Sequence, residues 1–183
     1  MSLDKRFRQI FDNLIAKDYG SALTLICPLI DKAGKEIFGL KNTGKRFKKI
    51  INDNQEFLYW VMSNGGVLMT KDSKLYYDFG HYKTELPGLI YKLVRNNLLH
   101  EAEISDQILF VKEIRFGPQP DGTIVFPINL IWSMALMLTY LPCYERHCPS
   151  DLSVSLNDVN INFKDCWGDK DKLLSYINKA YKK

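Results

Sequence analysis

Arg95-Asn96-Asn97-Leu98-Leu99-His100 places a guanidinium, an amide and an imidazole within one short stretch. Those groups suffice for attack on a phosphodiester. A histidine takes a proton from a ribose 2′-hydroxyl or gives one to a leaving oxygen. An arginine fork holds phosphate oxygens and stabilises charge in the transition state. The amide of Asn96 positions either group, and no metal or other cofactor is required. On an ideal helix Asn96 and His100 lie four apart and share a face. Arg95 precedes His100 by five, about 140° around the axis, and its length lets it lean into the same cleft. A plainer reading stands beside this one. Arginine and histidine suit the negative end of a helix dipole, and asparagine is a common helix stop.

The segment resembles the R-x4-6-H motif of the HEPN superfamily, in the form where a polar residue follows the arginine. That resemblance implies a helical bundle, often dimeric, in which Arg and His of two protomers converge at the interface. Many members of that superfamily are metal-independent endoribonucleases of toxin or defence systems, and others are non-catalytic binding modules. It implies catalytic roles for Arg95 and His100 with Asn96 positioning them, and it implies a homodimer. No other residue of the chain maps onto the family pattern.

Other residues offer weaker chemistry. Lys45, Arg46, Lys48 and Lys49 surround Phe47, Ile50 and Ile51. They form either a solvated helix face or a surface for RNA phosphates. Cys143, His147, Cys148 and Cys166 supply zinc-type ligands. However, adjacent His147 and Cys148 are poorly placed for one tetrahedron and no C-x2-C knuckle occurs, so no metal is expected. Tyr59, Trp60, Trp132 and the Tyr76-Tyr77 pair read as core or interface rather than base-stacking platforms. His81 sits on a loop with no triad partner near it. No phosphate loop, dinucleotide fingerprint or G-x-S-x-G is present.

The elements that must position these groups are mostly helical. The chain has 183 residues, with 46% hydrophobic and 25% charged, the balance of a folded domain rather than a disordered segment. A net charge of +4 permits an anionic partner without demanding one. No apolar export signal is visible and the most apolar run, 128–141, is too short to span a bilayer. A cytoplasmic protein with free thiols is expected, without a membrane partner.

Apolar residues recur with helical spacing over 4–17, 22–38, 43–54, 85–101 and 169–182. Ser21, Thr43 and Thr84 stand where caps would start three of these helices, and Pro28 interrupts the second, where a kink or an offset is expected. Residues 55–63 extend the third helix or form another. The run 128–141 carries no charge and reads as a central buried helix. Residues 66–84 fit either short strands or an ordered loop. QILFVKEI and 123–127, with Asp121-Gly122 between them, predict a β-hairpin over about 107–127. Short strands are expected near Val154 and Ile161. The expectation is therefore one domain over 1–183: a mainly α, HEPN-like helical bundle carrying a small hairpin. Two functions remain open for it, a metal-independent endoribonuclease and a non-catalytic interaction or RNA-binding module.

Overall fold

The computed structural model describes residues 2–70, 76–78, 83–98 and 105–182, together with the backbone of Leu99 and His100. Four helices come first. α1 (Leu3–Ile15) buries Phe7, Ile10, Phe11 and Leu14, the stripe its spacing predicts. α2 (Tyr19–Phe38) starts at Asp18, whose carboxylate accepts from the Ser21 amide, so the cap lies three residues before the expected one. It continues through Pro28 and ends at Gly39, which supplies the left-handed φ of 64° that a helix stop favours. α3 (Thr43–Asp53) is capped by Asn42 rather than Thr43, with Asn42 Oδ1 accepting from the Lys45 amide at 2.9 Å. α4 (Gln55–Met62) follows at once, its backbone break held by Asn54.

The charge-free run forms α7 (Asn129–Thr139), buried at every position but Asn129 and Trp132. It packs along α4 and touches α1 and α2, which makes it the central post of the core. Aromatic side chains close the seams around it. Phe57 meets Tyr140 edge-on at 5.0 Å, and Phe11 lies 4.7 Å from Phe163. The hydroxyl of Tyr144 donates to the Leu29 carbonyl at 2.6 Å, which satisfies a polar group that burial would otherwise penalise. α8 (Lys170–Tyr181), capped by Asp169, covers the end of the molecule.

The chain is not the plain helical bundle expected. It is 57% helical and 14% strand, a mixed α/β architecture. Among the described residues the strands form three small sheets. β1 (Tyr76–Asp78) pairs antiparallel with β2 (Lys83–Glu85), and β6 (Ser153–Leu156) pairs antiparallel with β7 (Val159–Asn162). The expected hairpin is also corrected. β3 (Ile108–Val111) and β5 (Ile124–Pro127) are neighbours, but they run parallel. The Asp121-Gly122 turn instead joins β5 to β4 (Gly117–Pro118), an antiparallel pair. The reason lies in burial and length. β5 is buried at every position, as a central strand covered on both faces should be. Residues 112–123 are long enough to carry the chain back to the start of β5, the length a parallel connection needs.

The helix expected over 85–101 is not regular. It begins at Glu85 without a side-chain cap, so Thr84 does not fill that role. α5 (Leu86–Leu89) passes into a π-helical stretch, Ile90–Asn96, and then into α6 (Asn97–His100). The face-sharing geometry of an ideal α-helix therefore does not apply across Arg95 and Asn96.

Candidate anion-binding cleft

Arg95 leaves the π-helical stretch and turns inward. Its Nε and Nη2 both donate to Asp31 Oδ2, at 3.1 and 2.8 Å, and its Nη1 donates to Asn96 Oδ1 at 3.0 Å. The Tyr91 ring lies against the guanidinium, 5.3 Å from its carbon. The Arg95 side chain is 13% exposed and that of Asp31 10%. Arg46, from α3, faces the other carboxylate oxygen with its Nε 3.9 Å away. One carboxylate thus sits between two guanidinium groups where α2, α3 and the π-helical stretch meet. Cys27, one turn before Asp31, is fully buried, and burial first and the Asp31 charge second push its thiol up to about 12. It is no nucleophile.

Of the three expected catalytic residues, Arg95 and Asn96 are brought together by a hydrogen bond, with the rest of the Arg95 fork turned to Asp31. The side chain of His100 lies outside the described residues, as does His81. Motif reading misses Asp31, although the sequence carries a signal for it: one carboxylate set within the buried series Leu23, Ile26, Ile30 and Ala33 of α2. A lone charge on an apolar face requires a partner.

The expected RNA-binding residues divide. Lys45 is exposed. Arg46 is spent on Asp31 and on the Lys41 carbonyl, 3.3 Å from its Nη1. Lys48 and Lys49 line a cleft of about 530 Å³ between α3 and the β1–β2 ladder. Lys83 of β2 and Tyr76 of β1 line it as well, with Asn52 and Thr84. The ammonium of Lys48 stands 5.8 Å from the centre of the Tyr91 ring. Lys49 reaches Asp53 at 2.9 Å and Lys83 reaches Asp78 at 3.0 Å. Sequence reading does not find Lys83, because it lies far from the α3 lysines along the chain.

The two tyrosines of β1 point opposite ways, as strand geometry requires. Tyr77 is 3% exposed, its hydroxyl 3.3 Å from that of Tyr59 and its ring 6.0 Å from Phe126. Tyr76 is 54% exposed. Desolvation raises the pKa of both buried phenols, that of Tyr59 to about 12. Trp60 and Trp132 pack against the core, Trp60 5.4 Å from Tyr181 and Trp132 6.3 Å from Phe11.

The cysteine–histidine region forms no ligand set. His147 Nδ1 lies 3.1 Å from Asp4 Oδ1, and Cys148 Sγ faces the Pro149 carbonyl at 3.5 Å. All four cysteines are free, and burial raises Cys143 and Cys166 to about 11. Among the described residues no group of three side chains is arranged to hold a metal ion, and no helix is long and apolar enough to cross a membrane.

No curated protein and no solved structure matches the chain. One family model does, over residues 2–183, essentially the whole length. By that match the chain belongs to the Rv1289 family.

Proposed function

We propose that the protein is a non-catalytic RNA-binding module of the cytoplasm, and that the cleft between α3 and the β1–β2 ladder receives RNA phosphates. The observation that carries this is the convergence of Lys48, Lys49 and Lys83, from two distant segments, on one cleft. The carboxylates of Asp53 and Asp78 hold two of these ammonium groups in place without burying them. Exposed pairs of this kind are worth roughly 0–1 kcal/mol, so a phosphate exchanges for them at little cost. The cleft is complete within one chain, so the homodimer implied by the HEPN resemblance is not needed for it.

The ribonuclease reading is not preferred, because Arg95 lends its fork to Asp31. An arginine that donates three hydrogen bonds inside the protein has little left for a phosphate. The test is binding of a fluorescently labelled single-stranded RNA, followed by anisotropy at rising salt. Binding should weaken with salt, with a log–log slope of about −0.7 for each phosphate contacted. Lys48→Ala with Lys49→Ala should weaken binding and flatten that slope. The RNA should remain intact after long incubation. Absence of binding at low salt, or metal-independent cleavage, would overturn the proposal.

A further inference from the structure

The cleft holds an aromatic ring among its lysines, and that ring says which form of RNA fits. Tyr76 and Tyr77 alternate across β1, so the burial of Tyr77 fixes where Tyr76 points. Tyr77 is anchored between Tyr59 and Phe126. Pairing of Tyr76 with Glu85 in the ladder fixes it further, since the strand cannot slip without turning Tyr77 out of the core. A tyrosine 54% exposed is thus held with its ring in the cleft by the opposite face of its own strand.

Gly88 lines the cleft packed against Thr84, where a Cβ would come 2.4 Å from the Thr84 hydroxyl. Asn52, on the α3 wall, has its Oδ1 occupied by Gln55 Nε2 at 2.7 Å, which leaves its NH2 to donate. Lysines, a fixed ring, neutral hydrogen-bonding groups and the Glu85 carboxylate share about 530 Å³, a volume of small-ligand size. Cation and aromatic side by side are what a single strand requires: phosphates take the ammonium groups, and an unpaired base takes the ring.

Resting on the RNA-binding reading above, we propose that the cleft selects single-stranded RNA, stacking one base on Tyr76 while Lys48, Lys49 and Lys83 hold the flanking phosphates. Duplex RNA, whose bases are already stacked, gains nothing from the ring.

The test compares four probes on the full chain: a twelve-nucleotide oligoadenylate, an abasic ribose-phosphate chain of the same length, a duplex RNA of twelve pairs and polyglutamate. The wild-type protein should bind the oligoadenylate tightest. Tyr76→Ala should weaken that binding roughly 5- to 150-fold, the range of a single base–aromatic stack, and Tyr76→Phe should retain it. Neither variant should alter binding of the abasic chain, which only Lys48→Ala with Lys49→Ala should weaken. If Tyr76→Ala binds oligoadenylate as the wild type does, or duplex binds as tightly as single strand, stacking is overturned while the basic cleft stands. Polyglutamate bound as tightly as RNA overturns the choice of nucleic acid. Failure of the wild type to bind any of the RNA probes overturns the RNA-binding reading and this inference together.

Discussion

Arg95 and Lys48 carry the same charge on neighbouring segments, yet the molecule uses them in opposite ways. Arg95 is mostly buried, committed to Asp31 and stacked on Tyr91. Lys48 is exposed, stands 5.8 Å from the centre of the Tyr91 ring and lines a cleft. A buried charge must be paired, and pairing removes it from external chemistry. An exposed charge keeps its hydration, and its removal leaves stability nearly unchanged. The comparison separates two functions that a motif scan merges: positive residues that hold the fold and positive residues that face a ligand.

Arg95→Ala tests the first half most severely. It leaves the Asp31 carboxylate 10% exposed, facing only the longer contact to Arg46. Removing one partner of a buried pair costs about 3–5 kcal/mol, and the lower end is expected because Arg46 remains. Urea unfolding measures it. A variant that is fully stable but loses an RNA-directed activity would return Arg95 to the catalytic role its motif implies.

Gly34→Ala probes the junction that keeps the two sets of charges apart. An added Cβ would lie 2.6 Å from the Arg46 carbonyl oxygen, a backbone atom that cannot rotate away. α2 and α3 must separate, at an overpacking cost of about 1–3 kcal/mol. The movement loosens Arg46 from Asp31 and displaces α3 with its lysines, so RNA affinity should fall along with the thermal midpoint. Reduced stability with unchanged binding would show that the cleft does not depend on the α2–α3 spacing.

These side chains also mark how far the sequence was readable. The helical stripes of α1, α3 and α8 were legible because one face of each is buried and the spacing records it, and α7 was legible because its run carries no charge. The Asp121-Gly122 turn was legible, but its strand partner was not: turn chemistry fixes a reversal, whereas pairing depends on which strand is central. β5 carries the mark of a central strand in its unbroken Ile124-Val125-Phe126 run, a signal that turn chemistry alone does not include. The π-helical stretch left no local signal, and it changed the direction of Arg95. The cleft was half legible. Lys48 and Lys49 stood out by composition, while Lys83 and Tyr76 join them only through tertiary contact.

Alkaline pH should reveal the buried cluster again. The Cys27 thiol ionises near 9 in an unfolded chain and near 12 when folded, chiefly because burial disfavours the thiolate. Its pKa is raised on folding, so its contribution is fully present below pH 9 and is lost as pH rises toward 12. The unfolded state alone releases the proton in that window. The stability lost is on the order of 1 kcal/mol at pH 10. Urea midpoints at pH 7, 9 and 10 should therefore decline, and Cys27→Ala should decline less steeply. Equal slopes in the two proteins would show that Cys27 is reached by water.

The smallest effect on stability, and the sharpest contrast, belongs to the lysines. Lys48→Ala with Lys49→Ala removes two ring contacts, Lys48 over Tyr91 and Lys49 over Phe38, and one exposed pair with Asp53. The side chains of Lys49 and Asp53 are 46% and 36% exposed, so water replaces what the pair supplied. Stability should change by about 0.5 kcal/mol or less. Over the same substitution RNA binding should weaken, and its salt dependence should flatten by about 0.7 for each phosphate no longer neutralised. The pairing of a small unfolding effect with a large binding effect is the reverse of what Arg95→Ala should show. If the lysine variant is instead destabilised by more than about 2 kcal/mol, the cation–ring contacts of α3 are structural. The division between fold-holding and ligand-facing charge would then fail at this cleft.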